Sequence, residues 1–208
     1  MTYESLIFDI DGTLWDSRAL VAEGYNIQLR RENLHHLQIT AETLLPLFGK
    51  TMTAIADGIF ASIQPPERYA LMDRCIEAED EYLHQHPCDT IAYPNIYDTI
   101  QALSRKHRLF IVSNGQKGYP QLAAEKLGIS QFITGYLSFG DTGTSKDLTI
   151  RRLMEVHSIE NAVYIGDTQG DQEACRGAGI DFIFCDYGFG QAEEYVAVIH
   201  KFRDLLDL

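Results

Sequence analysis

Five short apolar runs constrain this chain more than anything else in it: Leu6–Ile10, Leu109–Ser113, Tyr136–Phe139, Ala162–Gly166 and Phe182–Cys185. Each has strand length and little alternation, the pattern of a strand buried on both faces. The last four are separated by helical stretches. Leu122, Ala123 and Leu127 mark one; Ile150, Leu153 and Met154 mark the next. A third, around Ala174, Cys175 and Ala178, stops at Gly177 or Gly179. Strands alternating with helices predict an α/β fold, a parallel sheet with helices on its faces. From about Glu194 the tail reads as a short apolar strand and a final amphipathic helix.

The stretch between the first two runs breaks this pattern. It carries no clear strand, only helical patterning around Ala19–Glu32, Ala41–Leu47, Met52–Phe60 and Glu67–His84, punctuated by Gly49, Gln64-Pro65-Pro66 and Pro87. An inserted helical domain over residues 16–90 is the simplest reading, with residues 1–15 and 91–208 forming the other domain. Hinges are expected near Asp16–Arg18 and Cys88–Tyr93. A chain of 208 residues suits this arrangement.

Composition narrows the partners. The net charge of −13 disfavours nucleic acid and anionic membrane surfaces. No apolar run approaches the ~18 residues of a membrane span, and no signal peptide is evident. Four cysteines without metal-type spacing, Cys75, Cys88, Cys175 and Cys185, read as thiols in a reducing cytoplasm. The expected state is a monomer or weak dimer.

The polar residues that matter lie where the strands stop. The first run leads into Asp9 and Asp11, the second into Ser113-Asn114, and the fourth into Asp167 with Asp171 one turn later. In an open parallel sheet these ends share one edge, where ligands bind. Three carboxylates meeting there suit a hard divalent cation such as Mg2+. Lys146 opens a helix behind a Ser145 N-cap. A cation there opposes the macrodipole by roughly 0.3–1 kcal/mol, which makes sense if it faces negative charge.

Asp9-Ile10-Asp11-Gly12-Thr13, Ser113-Asn114, Lys146 and Gly166-Asp167…Asp171, in that order, resemble the four motifs of the haloacid dehalogenase superfamily. The helical insert resembles the cap of its phosphoglycolate phosphatase-like and beta-phosphoglucomutase-like branch. The resemblance implies a Rossmann-like three-layer core with an inserted helical cap. It also implies a Mg2+-dependent phosphatase acting on a small phosphorylated metabolite. Asp9 would be the nucleophile, forming an aspartyl phosphate. Asp11 would be the general acid and base. Mg2+ would be held by Asp9, the Asp11 carbonyl and Asp167, with Asp171 behind them ordering metal waters or Lys146. Ser113 and Asn114 would bind the phosphoryl oxygens, and Lys146 would neutralise charge. The cap would close over the substrate, with Lys50 and Thr51 as candidate specificity residues. Because Asp11 is present, carbon–halogen cleavage is disfavoured.

The chain departs from the pattern in two places. Lys146-Asp147-Leu148-Thr149 stands where many relatives carry Lys-Pro-x-Pro, and no arginine for a second phosphate follows Gly49. The second departure weakens the alternative of a phosphosugar mutase. A phosphoryl-binding regulatory module of the receiver type is the other alternative, but receivers are shorter and lack such an insert. Other residues have plainer readings. His35-His36 are surface histidines, and His84 and His86 belong to the hinge region. Trp15 reads as hinge packing, with a substrate contact as the alternative; Tyr187-Gly188-Phe189-Gly190 reads as a turn, and Asp171 can also serve as an N-cap.

Overall fold

A computed structural model describes residues 3–88 and 90–208; Asp89, inside the expected second hinge, lies outside them. The chain divides into two units, Met1–Asp16 with Asp89–Leu208, and Ser17–Cys88.

The first unit is built on one parallel sheet of six strands among the described residues. These are β1 (Ser5–Phe8), β2 (Arg108–Ser113), β3 (Ile133–Ser138), β4 (Ala162–Gly166), β5 (Asp181–Cys185) and β6 (Ala197–Ile199). Their spatial order is β3-β2-β1-β4-β5-β6. The order reverses between β1 and β4, so the carboxyl ends of the central strands flank the switch point where α/β sheets bind ligands. Leu6, Ile7 and Phe8 pair with Leu109, Phe110 and Ile111 on one side and with Val163, Tyr164 and Ile165 on the other. All nine are buried. Burial on both faces is why these strands read as unbroken apolar runs.

Ile7, Phe110, Val112 and Tyr164 share one core with Ile150 and Leu153 of α8 (Lys146–His157) and Ala174 and Cys175 of α9 (Gln169–Ala178). Phe8 meets Phe202 from the tail, with ring centroids 5.8 Å apart. The four cysteines are buried and form no disulfide.

Several boundaries differ from the sequence expectation. β1 ends at Phe8 rather than Ile10, although the Asp9 N–H still donates to the Ile165 carbonyl at 2.9 Å. β3 begins at Ile133 and ends before Phe139, which starts the short α7 (Phe139–Thr142). β3 is an edge strand and half-exposed, so it lacks the apolar run that marks its neighbours. The amphipathic α5 (Ile96–Leu103), ahead of β2, was not expected, although Ile96, Ile100 and Leu103 have helical spacing and are buried. α6 (Tyr119–Lys126) carries the Leu122 stretch. α9 runs through Gly177 and stops at Gly179, whose φ of 78° provides the left-handed cap. The tail ends in a 3-10 helix, Phe202–Asp207, rather than an α-helix.

The second unit is helical throughout its regular structure: α1 (Arg18–Arg31), a 3-10 turn at His35–Leu37, α2 (Ala41–Leu44), α3 (Met52–Ile59) and α4 (Glu67–Gln85). Its own core joins Tyr25, Leu29, Leu44, Ile55, Phe60, Leu71 and Met72. The Asn26 side chain pins the loop behind α1. Its amide donates to the Ile39 carbonyl at 2.7 Å, and its oxygen accepts the Ile39 N–H at 2.9 Å. No helix among the described residues is long and apolar enough to cross a membrane.

Candidate active site

The turn after β1 sets the site. The N–H groups of Thr13, Leu14 and Trp15 all donate to the Ile10 carbonyl, which folds the chain back immediately after the two acids. Gly12 is required in this turn for two reasons. Its φ is 85°, a region that costs residues with a Cβ roughly 1–2 kcal/mol. A Cβ there would also fall 2.1 Å from Asp167 Oδ2.

Asp9, Asp167 and Asp171 converge with Lys146, and all four are buried. Lys146 Nζ donates to Asp9 Oδ1 at 2.8 Å and to Asp171 Oδ1 at 2.6 Å. It also lies 5.5 Å from the centroid of the Tyr164 ring. Burial opposes the lysine's charge, but Asp171 and Asp9 outweigh it and hold its pKa above the ordinary lysine value. This is the negative surrounding that the helix-terminal lysine called for.

Tyr164 donates to Asp9 Oδ1 at 3.2 Å and to the Val112 carbonyl at 2.9 Å. Burial pushes the Asp9 carboxyl up, Lys146 pulls it back, and Asp171 adds a further upward push. Burial also raises Asp167, with Asp171 and Asp9 adding to the effect.

The carboxylate oxygens of Asp9, Asp167 and Asp171 can lie within 4.8 Å of one another. Asp167 Oδ1 is buried with no hydrogen-bond partner, while Oδ2 accepts the Phe189 N–H at 2.7 Å. An orphaned carboxylate oxygen beside two more acids is costly in a protein interior. A donor set of oxygens alone fits a hard divalent cation.

The order of the motifs along the chain thus becomes convergence in space for Asp9, Lys146, Asp167 and Asp171. Ser113 ends β2, and its Oγ accepts the Gly115 N–H at 3.0 Å. Asn114 follows it, partly buried. The Asp11 side chain stands outside the carboxylate cluster and accepts from Trp15 and Tyr119. In the second unit Lys50 is exposed, while Thr51 is the N-cap of α3 and accepts the Ala54 N–H at 3.4 Å.

A family model described as haloacid dehalogenase-like hydrolase matches residues 6–185. The chain belongs to that family. Two curated proteins are similar to this chain. A pyrophosphatase PpaX from Oceanobacillus iheyensis is 22% identical over 181 residues, covering 82% of this chain and 78% of its own. A phosphoglycolate phosphatase from Agrobacterium fabrum is 25% identical over 190 residues, covering 88% and 80%. Among solved structures, a predicted phosphoglycolate phosphatase from Haemophilus somnus 129pt superimposes with a TM-score of 0.84 at 20% identity, covering 100% of this chain and 98% of that one.

The structure of this hydrolase revises several sequence readings. Ser145 is the N-cap residue of α8 but makes no capping bond; its hydroxyl turns to Asp147. Asp171 is not the N-cap of α9. Thr168 caps the helix, and Asp171 completes the capping box from the third position. Asp171 therefore uses one oxygen to fix the turn after Asp167 and the other to hold Lys146.

The segment Tyr187–Gly190 is more than a turn. It supplies the Phe189 N–H to Asp167, and a Cβ on Gly188 would fall 2.3 Å from the Asp167 Cβ. Its glycines were the available signal. Tyr164 was also missed. It sits within an apolar strand run, where a tyrosine hydroxyl must find partners once buried.

Proposed function

We propose that this chain, a phosphatase of the haloacid dehalogenase-like family, hydrolyses small phosphate monoesters with Mg2+ through an aspartyl phosphate on Asp9. The observation that carries the reading is the buried Lys146 bridging Asp9 and Asp171, with the orphaned Asp167 Oδ1 in the same cluster. In this reading Asp9 is the nucleophile, Lys146 its counter-charge, and the clustered carboxylates the oxygen donors.

The carboxylates of Asp9 and Asp167 and the main-chain carbonyl of Asp11 would hold the ion, with Asp171 behind them. When bound, Mg2+ supplies positive charge that lets two anions approach and polarises the phosphoryl group. Asp9 attacks phosphorus: the Asp9 oxygen–phosphorus bond forms as the phosphorus–leaving-oxygen bond breaks. Asp11 gives its proton to the departing oxygen. In the second step Asp11 takes a proton from water, whose oxygen displaces Asp9 and releases inorganic phosphate. Lys146 stays charged throughout and offsets the negative charge gathering around Asp9. The Ser113 hydroxyl and Asn114 amide are suited to hold the remaining phosphoryl oxygens.

The names of the relatives support small substrates of the phosphoglycolate or pyrophosphate type. The experiment is a panel of phosphoglycolate, sugar phosphates, nucleotides, pyrophosphate and p-nitrophenyl phosphate, scored by phosphate release with Mg2+ and with a chelator. Asp9→Asn should lose at least about 10³-fold in kcat. Full activity in that variant, or in chelator, would overturn the mechanism.

A further inference from the structure

Trp15 and Tyr119 lie outside the four motifs, yet both direct a side-chain donor at one atom. Trp15 Nε1 donates to Asp11 Oδ1 at 3.0 Å, and the Tyr119 hydroxyl donates to the same oxygen at 2.7 Å. Both rings are buried, and their centroids are 6.0 Å apart at 58°, so each donor braces the other. The backbone around them is shaped to this end. The Gly12 N–H donates to the Trp15 carbonyl, closing the tight loop that returns the indole to Asp11. Tyr119 is the first residue of α6, with Pro120 fixing the helix start behind it. A Cβ on Gly115 would fall 2.8 Å from the Tyr119 ring, so glycine at that position lets the ring lie against the Ser113 loop.

We propose that Trp15 and Tyr119 are positioning residues for proton transfer, fixing Asp11 so that Oδ1 stays an acceptor and Oδ2 carries the transferred proton. The proposal rests on the reading of Asp11 as general acid. A protonated carboxyl has one hydroxyl oxygen and one carbonyl oxygen. Two donors on Oδ1 favour it as the carbonyl oxygen in the acid form. Rotating the protonated carboxyl by half a turn would bring its hydroxyl oxygen to the Trp15 and Tyr119 donors, a poorer acceptor than the carbonyl oxygen it replaces. The clamp therefore presents the proton from one oxygen in one direction.

The test compares two aryl esters of the same shape. p-Nitrophenyl phosphate releases a stabilised anion that needs little proton assistance; phenyl phosphate releases a more basic one. The parameter is kcat/KM, which reports steps up to departure of the leaving group and excludes hydrolysis of the phosphoenzyme. Tyr119→Phe removes only the hydroxyl and keeps the ring; Trp15→Phe removes the second donor. Each variant is expected to lose roughly 10–100-fold on phenyl phosphate, the worth of a hydrogen bond to a charged group. The loss on p-nitrophenyl phosphate should stay below about threefold.

Equal losses on both esters in Tyr119→Phe would mark a general structural role and overturn the proposal, as would no loss on either. Asp11→Asn separates this from the underlying reading. If that variant also slows both esters equally, the acid role of Asp11 falls, and this proposal with it. If it is selective for phenyl phosphate and Tyr119→Phe is not, the clamp alone is refuted.

Discussion

Replacing Lys146 with methionine removes the one cation that hydrogen-bonds both Asp9 and Asp171 among the described residues, and the cost follows from the geometry. The ammonium lies 2.8 Å from one carboxylate oxygen and 2.6 Å from the other, and the three side chains are at most 5% exposed. At an effective dielectric of about 20, each contact is worth about 6 kcal/mol of gross attraction. Much of that is offset by several kcal/mol of desolvation per ion. Removing one partner of such a cluster leaves buried charge uncompensated, so the expected net loss is about 3–5 kcal/mol at pH 7.

Protonation of Asp9 limits the damage and provides a second readout. Its folded pKa is already above the unfolded value through burial, and losing Lys146 removes a lowering influence. A carboxyl whose folded pKa is raised binds more protons folded than unfolded, so the variant gains stability as pH falls toward about 4. The Lys146 ammonium itself is charged across this range. Wild-type Asp9, raised to about 7, gains in the same way in acid, so the gap should widen as pH rises from about 7 to about 9 and stay level below about 6. The assay is urea unfolding of metal-free protein followed by the fluorescence of Trp15, the chain's single tryptophan and fully buried in the first unit. Adding Asp171→Asn to the variant should restore part of the loss. A gap below about 1 kcal/mol at pH 7, or one that does not widen between about pH 7 and about pH 9, would refute this account.

Three further outcomes test other parts of the structure. Gly12→Ala should raise the Mg2+ concentration needed for half-maximal activity at least about tenfold by displacing Asp167; an unchanged activation curve would show that the close approach is tolerated. Asn26→Ala should destabilise the helical unit by about 2 kcal/mol, because both buried main-chain groups of Ile39 lose their partner. Hydrogen exchange of α1 and α4 amides in the full chain would measure it, and a change below about 0.5 kcal/mol would count against it. The hydrogen bond from Arg74 holds Glu32 below the ordinary glutamate value. That contribution is present above the unfolded value near 4.3 and is lost as pH falls through the folded one. The pair is partly exposed, so Glu32→Gln should cost only about 0.5 kcal/mol at pH 7, shrinking in acid; the same exchange data would reveal a gap that fails to close.

The interior strands were legible because they are buried on both faces, which forces continuous apolar sequence. β3 blurred at its start because an edge strand carries no such demand. α5 was overlooked although Ile96, Ile100 and Leu103 have helical spacing, because the turn and strand residues around it drew the reading. The motif acids stood out because a run of Leu6-Ile7-Phe8 followed by Asp9 and Asp11 is costly without compensation. Trp15, Tyr119 and Tyr164 did not, because aromatic residues in or beside apolar runs read as packing.

The sequence by itself determined that this chain alternates strands and helices around a parallel sheet, and that its acids and Lys146 follow one another in an order that resembles one family's motifs. Both are written in local periodicity and in residue order, which need no coordinates. The tertiary structure decided which oxygen each donor reaches. Lys146 is 137 residues from Asp9 along the chain and Tyr119 is 108 from Asp11, yet each ends within hydrogen-bond distance. Only the strand order around β1, with β2 and β4 on either side of it, brings those segments to the same edge. Hydrogen-bond partnership depends on distances of a few tenths of an ångström, and no local sequence pattern encodes distance between segments so far apart.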